Sequence, residues 1–356
     1  MITPTPASPR GRRRRRGGRA SRRVSGVAVL VALLVAAWLA PAAPAGAQRR
    51  WVVAFANATE EPGVTLEGTG FTGPEIRESF NLAARLQPID LVFYDNRGDD
   101  ARAVANAEAA IARKVDLYVQ YHRGPSANAI VGQKLKAASI PVLAVNHPVP
   151  GAPLYGVDNA AAGRVAGEAL AQFAARSWAG QPAVAVVIGR VSAAADRVPE
   201  RVQGVADTLR QRLPAARLTI LDTKGNPAQV ATLLGSFLAA QPSRKVLIAA
   251  TDDATALAAK TAVETSGRLR DTVIVSHGVD RTIHGGMNDR KEIDPSNRSS
   301  IVIGSVAFYL DRLGYEVLPL AIRMLRGEPV PAFTATPHKL VTAANVFAEY
   351  PPYDMN

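Results

Sequence analysis

Short runs of β-branched and other apolar residues alternate with amphipathic runs along most of the chain, and this alternation constrains the fold more than any other feature. The apolar runs are almost continuous, as expected for parallel strands that are covered on both faces. Repeated strand–helix alternation predicts parallel sheets with right-handed crossovers. The strand candidates are WVVAFA, LVFYD, DLYVQY, IPVLAV, LYGVD, AVAVVIG, RLTILD, KVLIAA, TVIVSHG and SSIVIGSVA.

Amphipathic segments between these strands predict helices. In the first of them Ile76, Phe80 and Ala84 recur every four residues, which gives the helix one buried face. About ten strands would be the upper limit for one twisted open sheet, so two sheets are expected, with the break near Gly156 to Asp158. The predicted fold class is α/β, with two Rossmann-like doubly wound lobes. The helix candidates are Pro74–Gln87, Ala101–Lys114, Ala127–Ser139, Asn159–Ser177, Val198–Leu213, Pro227–Gln241 and Asp252–Gly267.

The first 47 residues have the order of a secretory signal peptide. They hold nine Arg and no acidic residue, followed by 14 apolar residues, Val27–Ala40, and a small-x-small pattern in AGAQ. Fourteen residues are too few to span a bilayer, which needs about 20. We therefore predict a signal peptide over residues 1–47, cleaved near Ala47. A signal anchor is the alternative, and the sequence leaves the choice between general and twin-arginine export open.

Charge and cysteine content exclude several classes of function. Residues 1–47 carry nine of the twelve net positive charges, so the remaining chain carries only +3. This is too small an excess of positive charge to indicate nucleic-acid binding. The chain has no cysteine, which excludes disulfides, thiolate metal sites and a lipid-modified cysteine. The mature protein is expected to be soluble and periplasmic.

Polar and aromatic side chains stand at the ends of the predicted strands. Ligands of open parallel sheets bind beyond the carboxyl ends of the strands, so two facing lobes make the cleft between them the expected site. A mixture of amides, carboxylates, an arginine and aromatic rings suits a neutral polyhydroxylated ligand. The candidate ligand-binding residues are Asn57, Phe71, Tyr121, Asn146, Arg201, Asp252, Asp280 and Phe308.

Each candidate also has a purely structural interpretation. Asp252 precedes a predicted helix and could serve as its N-cap. Arg201 could be a solvated helix residue, and Phe71 and Tyr121 could be packing residues at the lobe surface. Asn57 and Asp280 end predicted strands without obvious capping work, so they are the stronger candidates.

The stretch GTGFTG, Gly68–Gly73, spells the dinucleotide-binding pattern G-x-G-x-x-G. That pattern needs its first glycine in the turn directly after the first strand, whereas 11 residues separate Ala56 from Gly68 here. The stretch instead predicts a loop that caps the cleft, with Phe71 projecting into it.

The sequence predicts neither a catalytic centre nor a cofactor. His277 and His284 do not have the spacing of metal ligands, so no metal is expected. The stretch GRVSA lacks the second glycine of a nucleophile elbow. A secreted hydrolase or a dehydrogenase is the enzymatic alternative.

Several stretches, in order and spacing, resemble the periplasmic sugar-binding proteins of ABC importers, of the ribose-binding type. The resemblance covers nearly all of residues 51–346. It implies two lobes, 48–157 plus about 308–336 and 158–307 plus about 337–356, joined by three crossing segments. The stretches are YDNRGDD, KVDLYVQY, ASIPVLAVN, YGVDNAAAGRVAGEAL, RVQG, AATDDATALAA, GVD, GSVAFYLDRLG and LRGEPVPA.

The resemblance also assigns roles within the cleft. Arg201 falls on the family's sugar-binding arginine, Asp252 falls on an aspartate that the family pattern has at this position, and Asp280 matches the aspartate that ends its strand. Asn146 departs from the family, which usually has a ligand-binding aspartate there, and Phe308 replaces a frequent glutamine. The long loop from Asn57 to Gly73 replaces a much shorter turn, so the particular sugar stays open.

The resemblance implies a monomeric solute-binding protein that delivers a small molecule, a sugar, to an ABC permease in the inner membrane. A ligand-sensing accessory protein for a membrane chemoreceptor or sensor kinase is the alternative on the same fold. A transcription regulator is disfavoured, because an export signal stands where a helix-turn-helix would be. The polar loop Asn288–Ser300 is interpreted as a solvated connection, and a role of its own stays open.

Overall fold

The computed structural model describes residues 50–192, 198–285 and 291–351. The predicted signal peptide lies outside the described residues, and so do residues 288–290 of the polar loop.

The strands are β1 (Trp51–Asn57), β2 (Ile89–Asp95), β3 (Leu117–Gln120), β4 (Val142–Val145), β5 (Leu154–Gly156), β6 (Ala183–Gly189), β7 (Arg217–Asp222), β8 (Lys245–Ala250), β9 (Thr272–Gly278), β10 (Val302–Ala307), β11 (Phe333–Ala335) and β12 (Leu340–Val341).

Helices connect most of these strands. They are α1 (Gly73–Ala84), α2 (Asp100–Ala112), α3 (Pro125–Ala137), α4 (Asn159–Ser177), α5 (Val198–Arg212), α6 (Ala228–Ala239), α7 (Asp253–Thr265), α8 (Leu313–Leu325) and α9 (Val346–Glu349). Within the described ranges no helix is long and apolar enough to cross a membrane.

The strands form two six-stranded sheets. The first has the order β11-β5-β4-β3-β1-β2 and the second β12-β10-β9-β8-β6-β7. Every pairing is parallel except that of β10 with β12, which is antiparallel. We call the part built on the first sheet the first lobe and the part built on the second sheet the second lobe. The predicted two-lobed α/β fold is confirmed.

The chain crosses between the lobes three times. The crossings are β5 to α4, β10 to α8, and β11 to β12, which follows from the sheet to which each strand belongs. The helix α8 packs on α1 of the first lobe, and Gly314 N donates to Ser79 Oγ at 3.0 Å. The sequence prediction missed β11 and β12, because strands of three and two residues are too short to show a period.

The core consists of strands whose side chains are buried on both faces, as in β3 and β8. On the second lobe, α4 and α5 pack with their backbones in contact. A Cβ on Gly163 would lie 2.1 Å from Arg201 O, and a Cβ on Gly204 would lie 2.3 Å from Ala160 O. This close packing fixes the position of the Arg201 side chain relative to the carboxyl ends of the second sheet.

Candidate functional site

A small hairpin of residues 65–72, here called the cleft hairpin, lies between the carboxyl ends of the two sheets. Thr65 and Thr72 form an antiparallel bridge, and Leu66 N donates to Phe71 O at 2.8 Å. Leu66 and Phe71 are almost fully buried in the hydrophobic core. The predicted cleft-capping loop therefore inserts into the cleft, and Phe71 is a core residue of this insertion.

The tip of the cleft hairpin is a tight turn. Thr69 N donates to Leu66 O at 3.0 Å, and Glu67 and Gly68 both have positive φ, 55° and 62°. Two central residues with positive φ are the mark of a type I′ turn, in which glycine is strongly favoured. Gly68 and Gly70 of GTGFTG thus serve the hairpin turn and its close approach to the second lobe.

Asn57 holds the base of the insertion. Its Nδ2 donates to Gly73 O at 2.9 Å and to Glu60 Oε1 at 2.6 Å, and its Oδ1 accepts from Ala58 N at 2.9 Å. The side chain is fully buried. The sequence showed no obvious capping role for Asn57, but in the structure its polar atoms fix the start of the loop.

Arg201 is the centre of the contact between the hairpin and the second lobe. Its Nη2 donates to Glu67 O at 2.9 Å and its Nη1 to Gly68 O at 3.1 Å. Its Nε and Nη2 also donate to Asn159 Oδ1, at 3.1 Å and 2.8 Å. Its Nη1 donates to Thr251 O as well. All five guanidinium N–H groups are therefore bonded to this chain, and the interpretation of Arg201 as a solvated helix residue is wrong, since it is fully buried.

Phe308 forms one wall beside this guanidinium. The Arg201 Cζ atom lies 4.4 Å from the centre of the Phe308 ring, which is a cation–π contact. His277 stacks on the same ring, with 6.3 Å between ring centres. Burial lowers the pKa of His277 to about 3, and the Arg201 charge acts in the same direction, so this ring is neutral.

The Glu67 carboxylate lies against the first lobe. Its Oε1 accepts from Tyr121 Oη at 2.7 Å and lies 3.1 Å from His147 Nε2. Burial opposes ionisation of Glu67, but the hydrogen bond and electrostatic interaction with His147 and the hydrogen bond from Tyr121 lower its pKa overall. Burial and the adjacent Glu67 charge raise the pKa of Tyr121 well above its usual value, so Tyr121 stays a donor.

Asp280 contacts the hairpin on its other side. A Cβ on Gly70 would lie 1.9 Å from Asp280 Oδ2, so only a glycine fits against this carboxylate. Burial raises the pKa of Asp280, with further contributions from Asp252 and Glu75. Asp280 N also donates to Asp253 Oδ2 at 2.8 Å.

Two further candidates have structural roles. Asp252 is the N-cap of α7, and its Oδ1 accepts from Thr255 N at 2.7 Å. Asn146 Oδ1 accepts from Val157 N at 3.1 Å and so ties the end of β4 to the first crossing segment. The helix-capping interpretation of Asp252 is therefore correct, although Asp252 also faces the cavity described next.

A cavity of about 210 Å³ remains between the hairpin tip and the second lobe. Its polar lining consists of Thr69 of the hairpin, Thr255 of α7, and four residues that follow β6, β7 and β8: Arg190, Thr223, Thr251 and Asp252. This volume lies below the roughly 300–1,000 Å³ of ordinary ligand pockets. The hairpin thus takes up much of the space that two facing lobes would otherwise leave.

The structure brings Tyr121, Arg201, Asp280 and Phe308 together around the hairpin, to which Phe71 itself belongs, whereas Asn57, Asn146 and Asp252 hold backbone at the rim. Sequence reasoning missed Glu67 and His147. The position of His147, two residues beyond β4, was a usable signal. No signal marked Glu67, because its partners lie 54 and 80 residues away.

Comparison with known proteins agrees with this architecture. The family model described as periplasmic binding protein domain matches residues 64–329. No curated protein matches the chain significantly.

Solved structures match over nearly their whole length. An ABC transporter solute binding protein from Mycobacterium smegmatis with bound glycerol is 21% identical, with a TM-score of 0.62 over 84% of this chain and 96% of that chain. A sugar-binding protein of a sugar ABC transporter from Bacillus halodurans is 19% identical, with a TM-score of 0.63 over 84% and 99%. The fructose binding periplasmic domain of a hybrid two component system is 16% identical, with a TM-score of 0.59 over 84% and 93%. At these identities the likeness establishes the fold.

Proposed function

We propose that this chain, which belongs to the periplasmic binding protein family, captures a small polyhydroxylated ligand, a sugar, between its lobes and delivers it to an ABC importer. The observation that carries the proposal is the convergence of Tyr121, Arg201, Asp280 and Phe308 on one cleft, from the carboxyl ends of both sheets or the helix beside them. The polar groups can form hydrogen bonds with the hydroxyls of a polyol, and the aromatic ring can pack against its C–H groups.

The work of such a receptor is conformational and needs no covalent step. A ligand shifts the equilibrium between open and closed lobes only by the difference between its affinities for the two states. Three crossing segments between the lobes supply a hinge for this motion. Micromolar affinity corresponds to about −8 kcal/mol, within reach of a few charge-assisted hydrogen bonds and a ring contact.

The same proposal includes the setting of the protein. Residues 1–47 direct export and are removed, and the mature chain works as a periplasmic monomer that presents its closed form to an inner-membrane permease. It is a binding protein and not an enzyme. The similar solute binding proteins of ABC transporters support this assignment.

A second function is favoured by one observation. The similar fructose binding periplasmic domain belongs to a hybrid two component system, so this fold also serves sensing. The sensing function differs from import only in the partner of the closed form. A pull-down with the ligand-loaded protein separates the two, because it recovers a permease in one case and a sensor kinase or chemoreceptor in the other.

Ligand-dependent thermal unfolding tests the proposed function. The exported chain is heated with pentoses, hexoses, sugar alcohols, sugar acids and nucleosides, with nicotinamide cofactors as the enzymatic comparison. At a hundredfold excess over Kd, a bound ligand stabilises the native state by about 2.7 kcal/mol. We expect a higher unfolding midpoint with one sugar class. A shift with nicotinamide cofactors alone would contradict the receptor function.

A further inference from the structure

The cleft hairpin contacts both lobes as a bound ligand would. On the second lobe, the guanidinium of Arg201 donates one hydrogen bond to each of two hairpin carbonyls, to Glu67 O at 2.9 Å and to Gly68 O at 3.1 Å. On the first lobe, the Glu67 carboxylate accepts from Tyr121 at 2.7 Å and lies 3.1 Å from His147 Nε2. The hairpin therefore supplies only acceptors to these three side chains, and one of the acceptors is an anion.

The two ends of the occupied space differ in chemistry. At the first-lobe end, an ionised carboxylate can only accept, so the His147 nitrogen beside Glu67 is a donor, as is Tyr121 Oη. The nearby positive charge of Arg123 also stabilises the carboxylate. At the second-lobe end, the Gly70 backbone lies against the Asp280 carboxylate, which suits a group that donates. The space thus runs from an anion-binding end to a hydroxyl-binding end.

We propose that the cleft binds a carboxylated polyol, a sugar acid, which displaces the cleft hairpin and places its carboxylate where the Glu67 carboxylate now lies. This inference rests on the proposed function, because it names the ligand class of the same cleft. It also assigns the hairpin a role as a tethered competitor for the site.

The donor set favours a ligand that carries a negative charge. When the hairpin leaves, buried donors on Tyr121, His147 and Arg201 lose their acceptors, and each unpaired donor is costly. A neutral sugar can restore hydrogen bonds through its hydroxyls. A sugar acid restores both the hydrogen bonds and the charge that faces His147 and Arg123, while its hydroxyls reach Asp280.

The attachment of the hairpin allows its tip to move away from the second lobe. It is joined to the first lobe at Asn57 and Gly73, and residues 61–64 before it are exposed. Its tip contacts the second lobe through the Glu67 and Gly68 carbonyls, the Gly70 backbone and the Thr69 side chain, whereas the Leu66 and Phe71 side chains are buried in the core. A tethered competitor lowers the apparent affinity by the fraction of molecules whose cleft is open.

Calorimetric titration of the exported chain tests the inference with D-gluconate and D-glucuronate as probes and D-glucose as the neutral comparison. Glu67→Ala removes the competing carboxylate and should tighten binding of one sugar acid at least about tenfold. Glu61→Ala is the matched control, because Glu61 has the same charge on the same loop but is exposed. It should bind as the wild type does.

Gly70→Ala provides an independent variant that leaves Glu67 intact. The added Cβ would collide with Asp280, so the substitution should displace the hairpin from the cleft and also tighten sugar-acid binding. Unfolding midpoints of both variants verify that they are folded. Unchanged or weaker binding by folded Glu67→Ala and Gly70→Ala would overturn the inference. If the protein binds the neutral sugar and no variant binds a sugar acid, the inference is overturned and the proposed function stands. If none of the probes binds to any variant, both are overturned.

Discussion

At the scale of single residues, Arg201 carries the most concentrated set of contacts at the site. Its side chain is fully buried, and its five N–H groups reach acceptors on the hairpin, on α4 and after β8. A planar guanidinium can serve acceptors in several fixed directions at once, which a lysine ammonium with three donors cannot. Arg201 therefore links the hairpin to the second lobe as well as marking the expected ligand position.

We expect Arg201→Lys to lower the free energy of unfolding by about 2–4 kcal/mol, because at least two buried acceptors lose their donor. Urea unfolding measures the change. Arg210→Lys is the control on the same helix, since Arg210 is exposed and its pair with Asp207 lies at the surface. It should cost less than about 0.5 kcal/mol. Equal losses for the two variants would contradict the role of Arg201.

The residue scale also shows what the sequence could and could not predict about the site. Positions directly after strands were predictable, because the carboxyl ends of parallel strands converge. Tyr121, Asp280 and Phe308 were predicted in this way, and the structure places them beside the hairpin or the Arg201 side chain. Glu67 was not, because its burial depends on a loop folding back into the cleft, and its partners are fixed only by tertiary structure.

At the scale of secondary-structure elements, α4 and α5 carry the geometry of the site. Asn159 at the start of α4 accepts twice from Arg201 of α5, and the helices approach closely at Gly163 and Gly204. Any residue larger than glycine there would separate the helices and move the guanidinium. Backbone contact between these helices is thus a condition of the Arg201 network.

Gly204→Ala should lower stability by about 1–3 kcal/mol, since its Cβ would lie 2.3 Å from Ala160 O and overpack the interface. Gly235→Ala is the matched control in the middle of α6, where a Cβ meets nothing within 4 Å. It should raise stability by roughly 0.5–1 kcal/mol, because alanine loses less backbone entropy in a helix. Denaturant unfolding of both variants measures the difference, and the same sign for both would contradict the packing argument.

The elements themselves were largely predictable from hydrophobic periodicity. Each of the ten strand candidates corresponds to one of β1–β10, and the seven helix candidates correspond to α1–α7. The resemblance added the crossing segments, which local patterns do not encode. The cleft hairpin escaped prediction as an element, because a two-residue turn stabilised by contacts with both lobes has no period of its own.

At the scale of the whole molecule, the hairpin joins the two lobes without a ligand. Its carboxylate bonds to the first lobe, and its carbonyls bond to the second lobe. In a receptor of this kind, such contacts favour the closed arrangement, which is otherwise the effect of the ligand. The lobes of the wild type should therefore be closed before any ligand is added.

Small-angle X-ray scattering measures this consequence directly. We expect Glu67→Ala to have a larger radius of gyration than the wild type in the absence of ligand, because the loss of the hydrogen bonds that Glu67 accepts from Tyr121 and His147 shifts the lobes toward the open state. A bound ligand should return the variant to the wild-type value, and the wild type itself should change little. Glu61→Ala should scatter as the wild type does. If folded Glu67→Ala has the same radius of gyration as the wild type, the hairpin does not hold the lobes together, and closure must depend on the three crossing segments and the ligand alone.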